Sequence, residues 1–351
     1  MRSEHDNATR QPGLWNRVDG LIDTAPSLHD LQAHGLHLLA ARRRRALGQT
    51  VPPGLARDEL RAAFALHAVP GLLAEVRAAC EGPILLIKGP AAAERYPQPE
   101  LRPFVDLDLV VPDAEQTQAE LVAAGFVPTG DAAFYAGVEH HLQPLRSPRF
   151  PIDIEIHDRP KWVAALDPPA FGELVAGAAP AAFGVDGILD PAPARHALVL
   201  AAHLWSHEPF TRLLRLLDVV LTAQAADPKE VESVARAWKL SRLWGSTVAV
   251  TNAVLDDQPE PWLLRLAGRG LSSAREATVL EVQLARLLAP LSIHPADRVP
   301  AAVWKALAQS LRPGPGESWS GKARRTARQL TRPSTSHSEN LRSIESPRDR
   351  T

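Results

Sequence analysis

Three short stretches of the chain carry strand-like patterning, and most of the remainder carries a helical one. ILLIK (84–88) is a continuous β-branched and leucine run after Gly82-Pro83, the pattern of a fully buried strand. VDLDLVV (105–111) and PIDIEIH (151–157) alternate apolar and polar residues with period two, so each is a strand with one buried face. Between them, residues 113–124 show helical spacing and end at Gly125. The region 84–157 therefore predicts an α/β core around a small mixed sheet.

On either side the period is close to 3.6. Residues 28–47 predict a helix with a basic end, and 57–80 predict one or two helices interrupted at Pro70-Gly71. Residues 192–226 are strongly periodic with a kink expected near Pro209, and helices are expected at 229–240, 241–255 and 272–289. Polar residues broken by Pro12, Gly13, Gly20 and Pro26 make 1–25 a flexible arm. Leu311 opens a Ser/Thr/Pro/Arg-rich tail expected to be disordered. The organisation predicted is an arm (1–25), N-terminal helices (26–80), a core (81–165), a helical domain (166–310) and a basic tail (311–351).

Composition narrows the class of molecule. The chain has 351 residues, 45% of them hydrophobic and 5% aromatic, so its core rests on Ala, Leu and Val. A formal net charge of −1 excludes a generally basic nucleic-acid coat. That average hides an asymmetry, because the tail holds nine Lys and Arg against four Asp and Glu, which leaves residues 1–310 acidic. The single cysteine, Cys80, excludes an internal disulfide framework and a multi-cysteine metal site. No long uninterrupted apolar run suggests a membrane span, and the polar start lacks an apolar signal core, so a cytoplasmic location is expected. The 32 prolines stand out. Several punctuate the core, with Pro97, Pro99 and Pro103 stiffening the approach to the second strand and Pro112 ending it.

The candidate chemistry lies on the alternating strands. Asp106 and Asp108, two residues apart on one strand, present both carboxylates on the same face. Adjacent carboxylates repel unless a cation lies between them, so the pair suits a divalent metal, and Mg²⁺ takes hard oxygen ligands shared with substrate phosphates. Asp153, Glu155 and His157 share one face of the third strand; Glu155 is the expected third acid and Asp153 the alternative. Lys88-Gly89 ends the first strand at a turn into a helix, where backbone N–H groups approach an anion, and Lys88 and Arg102 are candidate phosphate partners. His203 and His207, four apart, have a zinc-type spacing but lack the glutamate of the H-E-x-x-H pattern.

Lys88-Gly89, Tyr96-Pro97, Arg102 and Asp106-Leu107-Asp108-Leu109 together resemble the bacterial uncharacterised nucleotidyltransferase family of the DNA polymerase β-like superfamily. Glu155-Ile156-His157 is similar to a later acid-x-His strand of that family, and the segment from His203 to Asp218 to its helical region. The resemblance implies an α/β nucleotidyltransferase core with N-terminal helices and a C-terminal helical domain. It implies an enzyme that moves an NMP from an NTP to a hydroxyl, amine or phosphate acceptor. Asp106, Asp108 and Glu155 would be the catalytic residues, holding two Mg²⁺ ions, and the Gly89 turn would hold nucleotide phosphate. One departure is Pro90, which follows Gly89 and supplies no N–H. That departure favours one alternative, a non-catalytic nucleotide-binding or regulatory protein with the same fold, and the Arg-rich helix end and basic tail motivate another, a toxin-like enzyme modifying RNA or protein. A nucleotide and an acceptor are the implied partners; no membrane is indicated, and the scattered tail arginines do not single out nucleic acid.

Overall fold

A computed structural model describes residues 12–135, 141–206, 209, 211–256, 258–262, 265, 273–311, 313, 318–330 and 332–333. They divide into two compact units. One takes in the described residues of Pro52–His207 and Arg215–Ser241, and the other those of Met1–Val51, Glu208–Leu214 and Arg242–Glu339.

The first of these contains the sheet. Its strands are β1 (Ile84–Leu86), β2 (Asp106–Val110), β3 (Val127–Pro128), β4 (Leu145–Arg146), β5 (Asp153–His157), β6 (Ala179–Pro180) and β7 (Ile188–Asp190), in the order β3-β4-β5-β2-β1-β7-β6. β2 runs parallel to β5 and β1 parallel to β7, while the other pairs are antiparallel, so the expected mixed sheet is present. It extends past residue 165, where the core was expected to end, because β7 completes the far side of β1. The predicted strands form for the reason their pattern implies. Leu107, Leu109, Ile154 and Ile156 are fully buried in one apolar cluster with Ile84, Leu86 and Ile188. The opposite faces of β2 and β5 are left to carry the acids.

Against this cluster packs a helix of 27 residues, Pro53–Ala79. It runs unbroken through Pro70, where the sequence suggests a break. Val69, Leu72, Leu73 and Val76 are completely buried on either side of the proline, and that packing outweighs the one hydrogen bond that Pro70 cannot donate. Gly71 serves as a notch: a Cβ there would meet the Phe150 ring at 2.8 Å. Among the described residues, Pro53–Ala79 is also the helix whose length and hydropathy would allow a membrane crossing, but its C-terminal half is committed to the core. The helix Ala114–Ala123 starts where the sequence places it, with the Asp113 side chain accepting from the Gln116 N–H.

The other unit is helical. Residues 12–23, expected as flexible arm, form a helix that buries Val18 and Leu21, and Arg17 Nε donates to the Val254 carbonyl at 2.9 Å. Residues 1–11 lie outside the described residues. The helix expected over 28–47 is two, Leu28–His34 and His37–Ala46, separated at Gly35. Gly35 has φ +74°, and a Cβ there would collide with Leu214 at 2.8 Å. Arg43, from the basic helix end, pairs with Asp19 and Asp23. Part of the tail expected to be disordered is a helix, Trp319–Gln329, capped by Ser318 and continued by a bridge between Pro333 and Thr278. Residues 334–351 lie outside the described residues.

Candidate metal centre

The register of β2 on β5 builds the site. The two strands are parallel and aligned so that Asp106 lies opposite Asp153 and Asp108 opposite Glu155. Side chains directly opposite on a sheet share a face, so Asp108 and Glu155 are brought side by side. His157, two residues beyond Glu155, presents its ring on the same face. Its Nε2 lies 3.2 Å from Asp108 Oδ1 and 3.7 Å from Glu155 Oε2. Ligand-type atoms of Asp108, Glu155 and His157 all lie within 4.8 Å of one another. His141, in the segment before β4, adds a second imidazole. Its Nδ1–H donates to the Leu142 carbonyl at 2.7 Å, which leaves the Nε2 lone pair 3.9 Å from the same Glu155 oxygen.

β1 supplies the cation. Lys88 lies two residues beyond its last residue, and its ammonium makes a 2.6 Å ion pair with Asp108 Oδ1. The end of β1 is tied down twice. The Ile87 N–H donates to the Asp108 carbonyl, and the buried His196, on the helix Pro193–Ser206, donates its Nε2–H to the Ile87 carbonyl at 2.9 Å. Gly89 makes the turn with φ +59°, and a Cβ there would sit 3.0 Å from the Asp106 carbonyl oxygen. Only glycine allows the turn to lie this close to β2. The helix that follows, Pro90–Ala93, is a single turn.

The electrostatics follow from burial and pairing. Burial works to raise the Asp108 carboxyl, but Lys88 and His157 outweigh it and hold the group well below the usual carboxylate range. Asp106 goes the other way, raised by burial and by the neighbouring Asp108 charge. Burial, then Asp108 and Asp106, push the Glu155 carboxyl up to about 7. Three carboxylates thus share the Lys88 ammonium and the histidine rings, with Lys161 also drawing on Glu155. Two carboxylates and an imidazole within one ligand sphere form a donor set that fits a divalent cation, which would also relieve the repulsion holding Glu155 high.

The predicted residues separate clearly. Asp108, Glu155 and Lys88 converge. Asp106 shares their face and field but lies outside the tight group of three. Asp153, the alternative third acid, is drawn to the sheet rim by a bidentate pair with Arg146 of β4, at 2.8 and 2.9 Å. Arg102, expected to meet phosphate, is buried and committed to Asp218: Nε to Oδ1 at 3.2 Å and Nη2 to Oδ2 at 2.8 Å. The Tyr96 hydroxyl donates to the same Asp218 at 2.9 Å. His203 lies in the helix Pro193–Ser206, and His207, four residues on, is outside the described residues. Sequence reasoning missed His157 as a site residue although the alternation already put it on the Glu155 face, and it had no signal for His141. Neither the curated proteins nor the solved structures contain a match to this chain. The family model described as uncharacterised nucleotidyltransferase matches residues 27–256, a span that holds the glycine turn, both acidic strands and the Arg102–Asp218 pair, and the chain belongs to that family.

Proposed function

We propose that the protein is a divalent-cation-dependent nucleotidyltransferase that moves a nucleoside monophosphate from an NTP to a hydroxyl, amine or phosphate acceptor. The observation that carries this reading is the parallel register that sets Asp108 beside Glu155, with Lys88 against Asp108. A cation bound there supplies charge to the triphosphate oxygens and to the leaving pyrophosphate. Asp108 and Glu155 would hold it, with Asp106 beside them for a second ion; Mg²⁺ is the cation implied by the family resemblance. Lys88 and the Gly89 turn form the phosphate side. The acceptor atom attacks the α-phosphorus, the bond to the β-phosphate oxygen breaks, and pyrophosphate departs with that electron pair. Glu155, the member of the group of three that meets solvent, takes the acceptor's proton. Arg102 acts by fixing the chain before β2 through Asp218. The location that goes with these substrates is the cytoplasm.

The test compares wild type with Asp106→Asn/Asp108→Asn, each incubated with the four labelled NTPs and Mg²⁺ or Mn²⁺. Labelling or pyrophosphate release by wild type and its loss in the variant is the expected result, and equal signal from both refutes the reading. One observation favours a non-catalytic nucleotide binder instead: the turn after Gly89 is a single helical turn opened by Pro90, which has no N–H to offer a phosphate. Calorimetric NTP binding by wild type, without any product, is the outcome that selects this second reading.

A further inference from the structure

We propose that His157 is a direct nitrogen ligand of the cation at Asp108 and Glu155, and that the centre therefore selects a first-row transition cation over Mg²⁺. The inference deepens the function proposed above by naming the class of cation at the same site. Its basis is the composition and spacing of the donor set.

Mg²⁺ sites are built from oxygen and retain several waters, whereas imidazole favours first-row transition cations. Here the third donor at the buried end of the site is a nitrogen. His157 Nε2 is 3.2 Å from Asp108 Oδ1 and 3.7 Å from Glu155 Oε2. Adjacent ligands on an octahedron with bonds of ~2.1 Å stand about 3 Å apart, so the Asp108 separation already matches ligands sharing one ion, and the exposed Glu155 needs a small inward shift to join them while the cation takes over the Asp108 oxygen that Lys88 pairs with at 2.6 Å. His157 and Asp108 are almost completely buried, and Glu155 is the member that meets solvent. A cation entering past Glu155 therefore meets the nitrogen at the closed end of the site, where few waters can stand in for it.

The surroundings agree. The Nδ1–H of His141 is held by the Leu142 carbonyl, so its Nε2 lone pair faces the Glu155 oxygen at 3.9 Å. A backbone carbonyl fixing the tautomer of an imidazole is the arrangement that orients histidines around metals. The His141 and His157 rings lie 5.4 Å apart in an edge-on arrangement. Two imidazoles therefore flank the Glu155 carboxylate.

The experiment uses the full chain with Mn²⁺ or Mg²⁺ alone and no nucleotide. Pulsed electron paramagnetic resonance on the Mn²⁺-loaded protein is expected to show ¹⁴N coupling from a directly bound imidazole, and calorimetry to show Mn²⁺ binding more tightly than Mg²⁺. His157→Asn is expected to remove the ¹⁴N coupling and to lower Mn²⁺ affinity by about tenfold or more, with a smaller effect on Mg²⁺. Absence of ¹⁴N coupling in wild type, failure of Mn²⁺ to bind, or coupling that persists in His157→Asn overturns the proposal. The wild-type spectrum decides even if the variant does not fold. No substrate is present, so a chain that transfers no nucleotide still answers this question.

Discussion

Replacing Asp218 with Asn tests whether the approach to the acidic strand is held by charge. Arg102 lies four residues before Asp106, and its side chain is 10% exposed against 3% for Asp218. Burial alone would lower the Arg102 pKa; the Asp218 carboxylate outweighs it and keeps the guanidinium firmly charged. Asp218→Asn removes that carboxylate, leaves the guanidinium buried beside a neutral amide, and weakens the acceptor of the Tyr96 hydroxyl. Breaking one partner of a buried pair costs about 3–5 kcal/mol. Domains are stable by about 5–15 kcal/mol in total, so the variant should unfold at much lower urea. Tyr96→Phe removes one neutral donor to the same carboxylate and should cost about 1 kcal/mol. The double variant Arg102→Met/Asp218→Leu removes both charges and should be less destabilised than the sum of Arg102→Met and Asp218→Leu, because neither charge is then stranded. The assay is the urea midpoint followed by circular dichroism. If Asp218→Asn lies within about 0.5 kcal/mol of wild type, or the double variant is as unstable as the summed singles, the pair is not what holds this segment.

Two further perturbations probe the end of β1. Burial depresses the His196 pKa to about 4, despite its hydrogen bond to the Ile87 carbonyl, so the fold favours the neutral ring. That contribution is complete above the unfolded value near 6.5 and is lost as pH falls toward 4, about 3 kcal/mol in all. Urea midpoints at pH 7.5 and 4.5 should therefore fall less in His196→Gln than in wild type, and identical pH dependence would contradict this origin. Gly89→Ala places a Cβ at φ +59° and 3.0 Å from the Asp106 carbonyl oxygen, which should cost about 1–3 kcal/mol and displace β2. A lowered midpoint with reduced metal affinity is expected, and an unchanged midpoint and affinity would show that the turn tolerates a side chain.

What could be read from the sequence divides along the range of the interactions involved. The alternation in VDLDLVV and PIDIEIH is local, and it marks both strands and the side chains that share a face, because burying one face of a strand imposes period two. Which acid meets which is a tertiary property. Parity alone puts Asp153 and Glu155 on equal terms. The choice between them rests on the alignment of Asp108 with Glu155 and on Arg146, which holds Asp153 at the rim. Arg146 belongs to a strand of two residues, and β7 has three; neither is long enough to establish a period, so both are invisible before folding. The Arg102–Asp218 pair spans 116 residues, and no local pattern distinguishes an arginine awaiting a carboxylate from one awaiting a phosphate. The same reasoning explains Pro70-Gly71. Read locally the pair is a break, but Val69 and Leu72 bury completely beside it and Phe150 packs into the notch. His157 is different, because the alternation that placed Glu155 placed it too. A carboxylate-based metal site has no need of an imidazole, so parity alone assigns it no role, and its position beside Asp108 is what the proposed preference for a transition cation rests on.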